Sequence, residues 1–90
     1  MHYVYILRST IKDILYIGSS NNPNRRILEH NTKLVKSTKP YAPWILVFKQ
    51  GFIDSKIARK IEYSLKRKKS KIIIEKIIQD GYIRAISSAG

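Results

Sequence analysis

Five side chains stand out for the chemistry their types and spacing allow. Tyr5 and Tyr16 lie in β-rich stretches, Arg26 and His30 are four residues apart, and Glu62 is one of only 6 acids. An i, i+4 pair on a helix shares one face, one turn apart. Arg26 and His30 therefore present a guanidinium and an imidazole together. The guanidinium is planar and permanently charged, and donates in parallel to two phosphate oxygens. The imidazole accepts a proton near neutral pH or holds a hydroxyl in place. Plainer readings stand beside these. Strand tyrosines commonly just fill a half-buried pleat, Arg26 next to Arg25 is surface charge or a phosphate anchor, and isolated histidines mostly sit on helix surfaces. Glu62 can pair with Lys66 at i, i+4, worth about 0.3–0.5 kcal/mol. It also borders an apolar stripe in a chain of formal charge +12, a costly placement unless a cation partners it.

The elements that must position these groups follow from periodicity. From His2 to Arg8, Tyr3, Tyr5 and Leu7 alternate with Val4 and Ile6, which predicts a strand. Ile14 to Gly18 predicts a second, joined through a short polar connection as an antiparallel hairpin. The sequence does not set the register between the two strands, but Tyr5 and Tyr16 are expected to face the same side. Asn22 caps a helix that opens at Pro23 and runs to about Asn31, with Ile27, Leu28 and Leu34 expected to anchor it. Thr32 to Pro43 reads as a basic loop. Trp44 to Lys49 predicts a third strand with Trp44, Leu46 and Phe48 on one face, ended by Gly51 to Asp54. Ser55 is expected to cap a second helix with the stripe Ile57, Ala58, Ile61 and Leu65. Ser70 is expected to cap a third, carrying Ile72, Ile73, Ile74, Ile77 and Ile78 and ending near Gly81. The order β-β-α-β-α-α implies an α+β fold in one layer, a small three-stranded antiparallel sheet flanked by helices. One domain over 1–90 is expected, with 83–90 as a frayed tail.

Composition narrows the partners. Eighteen Lys plus Arg against 6 Asp plus Glu make a polyanion the expected ligand. Nucleic acid is favoured over an anionic membrane, because a domain this small needs its helical apolar residues for the core. DNA is the first expectation; RNA is not excluded, and a basic RNA-binding protein of the ribosome is a third reading. With no cysteine, disulfide frameworks and zinc fingers are excluded. No apolar run approaches the roughly 18 residues of a membrane span. No secretory leader is read at the start, so a cytoplasmic setting is expected. Eight of the 18 basic residues fall between positions 56 and 71, more than a helix end needs. Lys66, Arg67, Lys68 and Lys69, with Arg59 upstream, are expected to track a phosphate backbone. Arg25, Lys36 and Lys39 are further expected DNA contacts.

Together these residues resemble the GIY-YIG nuclease superfamily, most closely its small stand-alone single-domain members. Tyr3-Val4-Tyr5 and Tyr16-Ile17-Gly18 look like its paired motif. Arg25-Arg26, His30-Asn31, Pro43-Trp44, Ala58, Glu62 and Leu65-Lys66 continue the likeness across roughly residues 3 to 70. Tyr3 stands where the family's first motif usually has glycine, and a carboxy-terminal asparagine seen in some members has no match.

The resemblance implies hydrolysis of a DNA phosphodiester with one divalent ion, Mg²⁺ or Mn²⁺. Such cleavage needs an activated water, a counter-charge for the transition state and help for the leaving oxygen. Tyr5 matches the tyrosine proposed as general base; a free phenol has a pKa of ~10, which nearby cations are expected to lower. Tyr16 matches the tyrosine that orients phosphate or water. Arg26 and His30 match a phosphate-binding arginine and its helical neighbour. Glu62, the one matched carboxylate, is implied as sole protein ligand of a mostly hydrated ion. Gly18 is expected to let the backbone turn closely between strand and helix. With no second domain expected, selectivity for branched or single-stranded structure is expected over sequence, in repair or recombination. The competing reading is a catalytically weak nucleic-acid-binding module that needs a protein partner for recognition.

Overall fold

Four consecutive apolar side chains, Val4 to Leu7, are buried in the strand β1 (His2–Ser9). Burial of both alternating sets means that β1 is covered on both faces. The computed structural model, which describes residues 1–32, 35–68 and 70–83, shows how. β1 is the central strand of an antiparallel sheet of order β2-β1-β3, with β2 at Leu15–Ser20 and β3 at Trp44–Phe52. Helices α1 (Pro23–Asn31), α2 (Ser55–Lys68) and α3 (Lys71–Asp80) complete the expected α+β order, with a short 3-10 turn at Lys39–Tyr41 inside the basic loop. Of the residues expected to fray, Ile83 donates its backbone N–H to Gln50 Oε1 at 2.6 Å; 84–90 lie outside the described residues.

One sheet face buries Tyr5, Leu7 and Trp44, with Ile14, Tyr16 and Leu46, against Ile27 of α1. The opposite face buries Val4, Ile6 and Phe48 against Ala58 and Leu65 of α2 and Ile74 of α3. Helices thus cover both faces, where one layer was expected. A β-bulge explains a second departure. Ile6 faces Phe48 but Leu7 faces Leu46, so the register slips by one residue at Val47. Phe48 therefore leaves the face of Trp44 and Leu46 and joins Val4 and Ile6, because one extra residue inverts the alternation. β3 also runs on through Gly51 and Phe52. A side chain at Gly51 would meet Met1 Sδ at 2.7 Å and the Tyr3 ring at 3.0 Å, so glycine there makes room and the ladder continues.

Caps follow the sequence at two helices of three. Asn22 accepts from Arg25 N at 3.2 Å with Pro23 opening α1, and Ser70 accepts from Ile73 N at 3.3 Å at α3. At α2 the cap is Asp54, whose Oδ1 accepts from Ile57 N at 3.0 Å; Ser55 is already helical. Gly81 ends α3 at φ 83°, a left-handed position that suits glycine. Leu28 is 63% exposed and anchors nothing, since α1 meets the sheet through Ile27; Leu34 lies outside the described residues. Ile72 and Ile73 are likewise exposed, leaving Ile74 as the buried contact of α3. Arg8 binds Glu75 through two bonds, 3.0 and 2.6 Å, and so ties β1 to α3.

Candidate active site

The hairpin register aligns Tyr5 with Gly18 and Leu7 with Tyr16, making the two tyrosines diagonal neighbours on one face. Their ring centres are 6.4 Å apart. The phenol of Tyr5 lies over Gly18. A Cβ on residue 18 would stand 2.6 Å from Tyr5 Oη and 2.7 Å from Cζ. Gly18 is therefore explained by clearance for this ring inside β2, and not by the close turn expected from sequence.

On the same face α1 delivers His30, fully buried, with its ring 4.8 Å from that of Tyr16. Its Nε2 lies 3.4 Å from Tyr5 Oη, and its Nδ1 2.7 Å from Thr38 Oγ1. One tautomer satisfies all of these partners at once. Thr38 donates its own proton to the Val35 carbonyl, 3.3 Å away, so its oxygen accepts from His30 Nδ1–H. Nε2 is then bare and accepts from the Tyr5 hydroxyl. Thr38 was not foreseen; it lay in a loop read only for its lysines. Trp44 pins it, donating Nε1–H to the Thr38 carbonyl at 3.0 Å. Asn31 secures the end of α1 by exchanging two bonds with the Trp44 backbone, 2.9 and 2.5 Å.

Electrostatics at Tyr5 run against the expectation from nearby cations. Arg26 sits beside the hydroxyl and favours phenolate, but Tyr5 is 1% exposed and its burial outweighs that help, so its pKa is raised above 10.0. Burial also lowers the pKa of His30, and the Arg26 charge adds to the effect. The resting pair is a neutral phenol donating to a neutral imidazole. Arg26 itself is held by Glu29 at 2.5 Å, and Arg25 reaches the same carboxylate at 3.6 Å. Glu29 also went unremarked in the sequence, although its spacing to both arginines was visible.

Glu62 comes from the other side of the sheet. Its Oε1 accepts from Ser19 Oγ at 2.6 Å and its Oε2 pairs with Lys66 at 2.7 Å. The Lys66 ammonium also lies 5.8 Å from the Tyr16 ring centre, and Glu62 is near enough to act on the Tyr5 hydroxyl electrostatically. The site therefore straddles β2, the edge strand, with Tyr5, Tyr16, Arg26 and His30 on one side and Glu62 at the other. Among the described residues no three His, Cys, Asp or Glu side chains cluster to hold a metal. Glu62 offers hard oxygens, one already oriented by Ser19 and the other facing a cation. That donor set fits a Mg²⁺ or Mn²⁺ ion carrying mostly water and substrate phosphate.

Arg25, Lys36, Lys39, Arg59, Lys66, Arg67 and Lys68 are all exposed, and Lys69 lies outside the described residues. No helix among the described residues is long and apolar enough to cross a membrane.

Comparison with known proteins adds a family. Residues 1–77 match the GIY-YIG catalytic domain. The chain is 42% identical over 73 residues to the structure-specific endonuclease subunit SLX1 of Podospora anserina, covering 72% of this chain and 21% of that protein. It thus spans about a fifth of that relative's length. It is 38% identical over 66 residues to a UPF0213 protein of Staphylococcus haemolyticus, covering 72% of this chain and 79% of that one. The solution NMR structure of UPF0213 protein BH0048 from Bacillus halodurans matches with a TM-score of 0.55 at 32% identity, covering 87% of this chain and 82% of that chain.

Proposed function

The chain belongs to the GIY-YIG catalytic domain family, and from that membership we propose that it is a divalent-metal-dependent endonuclease hydrolysing DNA phosphodiester bonds. Its selectivity is for DNA structure over sequence, and its setting is repair or recombination. The observation that carries this reading is the Tyr5 hydroxyl, set between His30 Nε2 and the Arg26 guanidinium, with its ring accommodated over Gly18.

Tyr5 acts as base by exchange. The attacking water gives its proton to Tyr5 Oη while the phenol's own proton passes to His30 Nε2, so no free phenolate forms in a buried site that disfavours it. His30 receives that proton as imidazolium, and Thr38 keeps Nδ1–H occupied throughout. The 3.4 Å separation is long for such a transfer and shortens when substrate closes the site. Arg26 trades Glu29 for two oxygens of the scissile phosphate, matching the charge that builds in the transition state. Tyr16, packed on His30, orients the phosphate. Glu62 and Ser19 hold the metal position, where a bound Mg²⁺ or Mn²⁺ supplies Lewis-acid stabilisation of the phosphate and leaving oxygen. Arg25, Lys36, Lys39, Arg59, Lys66, Arg67, Lys68 and Lys69 supply salt-sensitive, sequence-independent contacts to the backbone.

One observation favours a second reading. Arg26 is neutralised by Glu29 and Glu62 by Lys66, as suits a binding module that needs a partner; the SLX1 relative is itself named a subunit. Incubation with branched, single-stranded and duplex DNA, with Mg²⁺, Mn²⁺ or chelator, decides between them. The endonuclease cuts branched or single-stranded forms only with metal, and Tyr5→Phe slows it about 10²–10⁴-fold. A wild-type chain that cuts no form with either metal is the module.

A further inference from the structure

Tyr63 belongs to neither apolar cluster and is 64% exposed. An isolated surface aromatic is ordinary, but this one has an unusual setting. Arg59, Tyr63 and Arg67 follow at i, i+4 and i+8 along α2, one ridge of the helix. The Arg67 guanidinium lies 5.7 Å from the Tyr63 ring centre. Tyr63, Ser64, Arg67 and Lys68 line an open depression of about 310 Å³. Glu62 and Lys66 form the adjacent ridge, the one that touches Ser19 and Tyr16. Tyr63 follows Glu62 directly in α2, on the ridge next to the one that carries Glu62.

A ring flanked by cations accepts the face of any base, because stacking and cation–π attraction are indifferent to sequence. In a duplex those faces are already stacked on one another, so only an unpaired base has one to offer. We propose that Tyr63, between Arg59 and Arg67, is a stacking site for an unpaired DNA base beside the cleaved phosphate. This rests on the endonuclease reading for its substrate and makes α2 the element that prefers single-stranded or branched DNA over paired DNA.

Trp44 is the sole tryptophan of the sequence and is 2% exposed, so Tyr63→Trp adds a fluorophore in solvent against a shielded background. With chelator present, single-stranded and flapped oligonucleotides should quench that emission, and blunt duplex should not. Tyr63→Ala should weaken single-strand binding about 5- to 150-fold, leave duplex binding unchanged and melt like wild type; Tyr63→Phe should restore affinity. Equal quenching by duplex, absence of quenching, or wild-type single-strand affinity in Tyr63→Ala would overturn the proposal. Because binding is read without metal, its failure is distinct from that of the endonuclease reading, which shows as absent metal-dependent cleavage with Tyr63-dependent binding intact.

Discussion

Replacing Thr38 by Val removes one hydroxyl and nearly preserves shape. It deletes the bonds to His30 and to the Val35 carbonyl, but that carbonyl keeps the backbone N–H groups of Thr38 and Lys39. In the native site the bond to His30, 2.7 Å long, keeps the ring proton on Nδ1 and leaves Nε2 free for Tyr5. His30 is fully buried and Thr38 is 3% exposed, so water does not replace the lost acceptor. Leaving a buried donor without a partner costs about 1–3 kcal/mol, and each kcal/mol lowers the melting temperature of a domain this size by about 4–8 °C. The same energy no longer holds the tautomer. With the proton on Nε2, His30 donates to Tyr5 and cannot take its proton. The unpaired Nδ1–H now disfavours the reactive tautomer by about 1–3 kcal/mol, a roughly 5- to 150-fold smaller reactive population, and single-turnover cleavage should fall accordingly. Thr38→Ser should recover both rate and stability, and ¹⁵N shifts of the His30 ring should report the tautomer directly. Thr38→Val cutting at the wild-type rate, with His30 still protonated at Nδ1, would refute the reasoning.

Gly18→Ala puts a methyl 2.6 Å from Tyr5 Oη; thermal melts should show an overpacking cost of about 1–3 kcal/mol, and single-turnover assays about 10²-fold slower cleavage from a misplaced hydroxyl. Glu62→Gln keeps the bond from Ser19 but removes the charge, so cleavage should vanish in gel assays while DNA affinity holds or rises. The lowered pKa of His30 gives a pH signature. The unfolded chain protonates this histidine near 6.5 while the native state resists. Stability should therefore be full above that pH and fall as pH drops through 6.5 toward the native value. Melts of wild type and His30→Gln should differ in this window, whereas loss of the Arg8–Glu75 contribution starts only below about 4.5.

Local order in this protein is written in the sequence because it depends on near neighbours. Period-two alternation marks both strands and allows Tyr5 and Tyr16 to share a side, and the register puts them there. The i, i+4 spacing of Arg26 and His30, with Asn22 and Pro23 opening their helix, likewise needed only the helical repeat. The Lys66 partner of Glu62 was legible by the same rule. Other features depend on what arrives from a distance. One extra residue in β3 turns Phe48 to the opposite face, and no local pattern marks it. Gly18 could be read as a turn until the Tyr5 ring was seen lying over it. Thr38 matters only because Trp44 holds its loop against α1. The pKa direction at Tyr5 was misjudged for the same reason. Charge partners can be counted along a chain, but desolvation is the sum of everything packed around a group, and only the tertiary structure decides that burial prevails over Arg26.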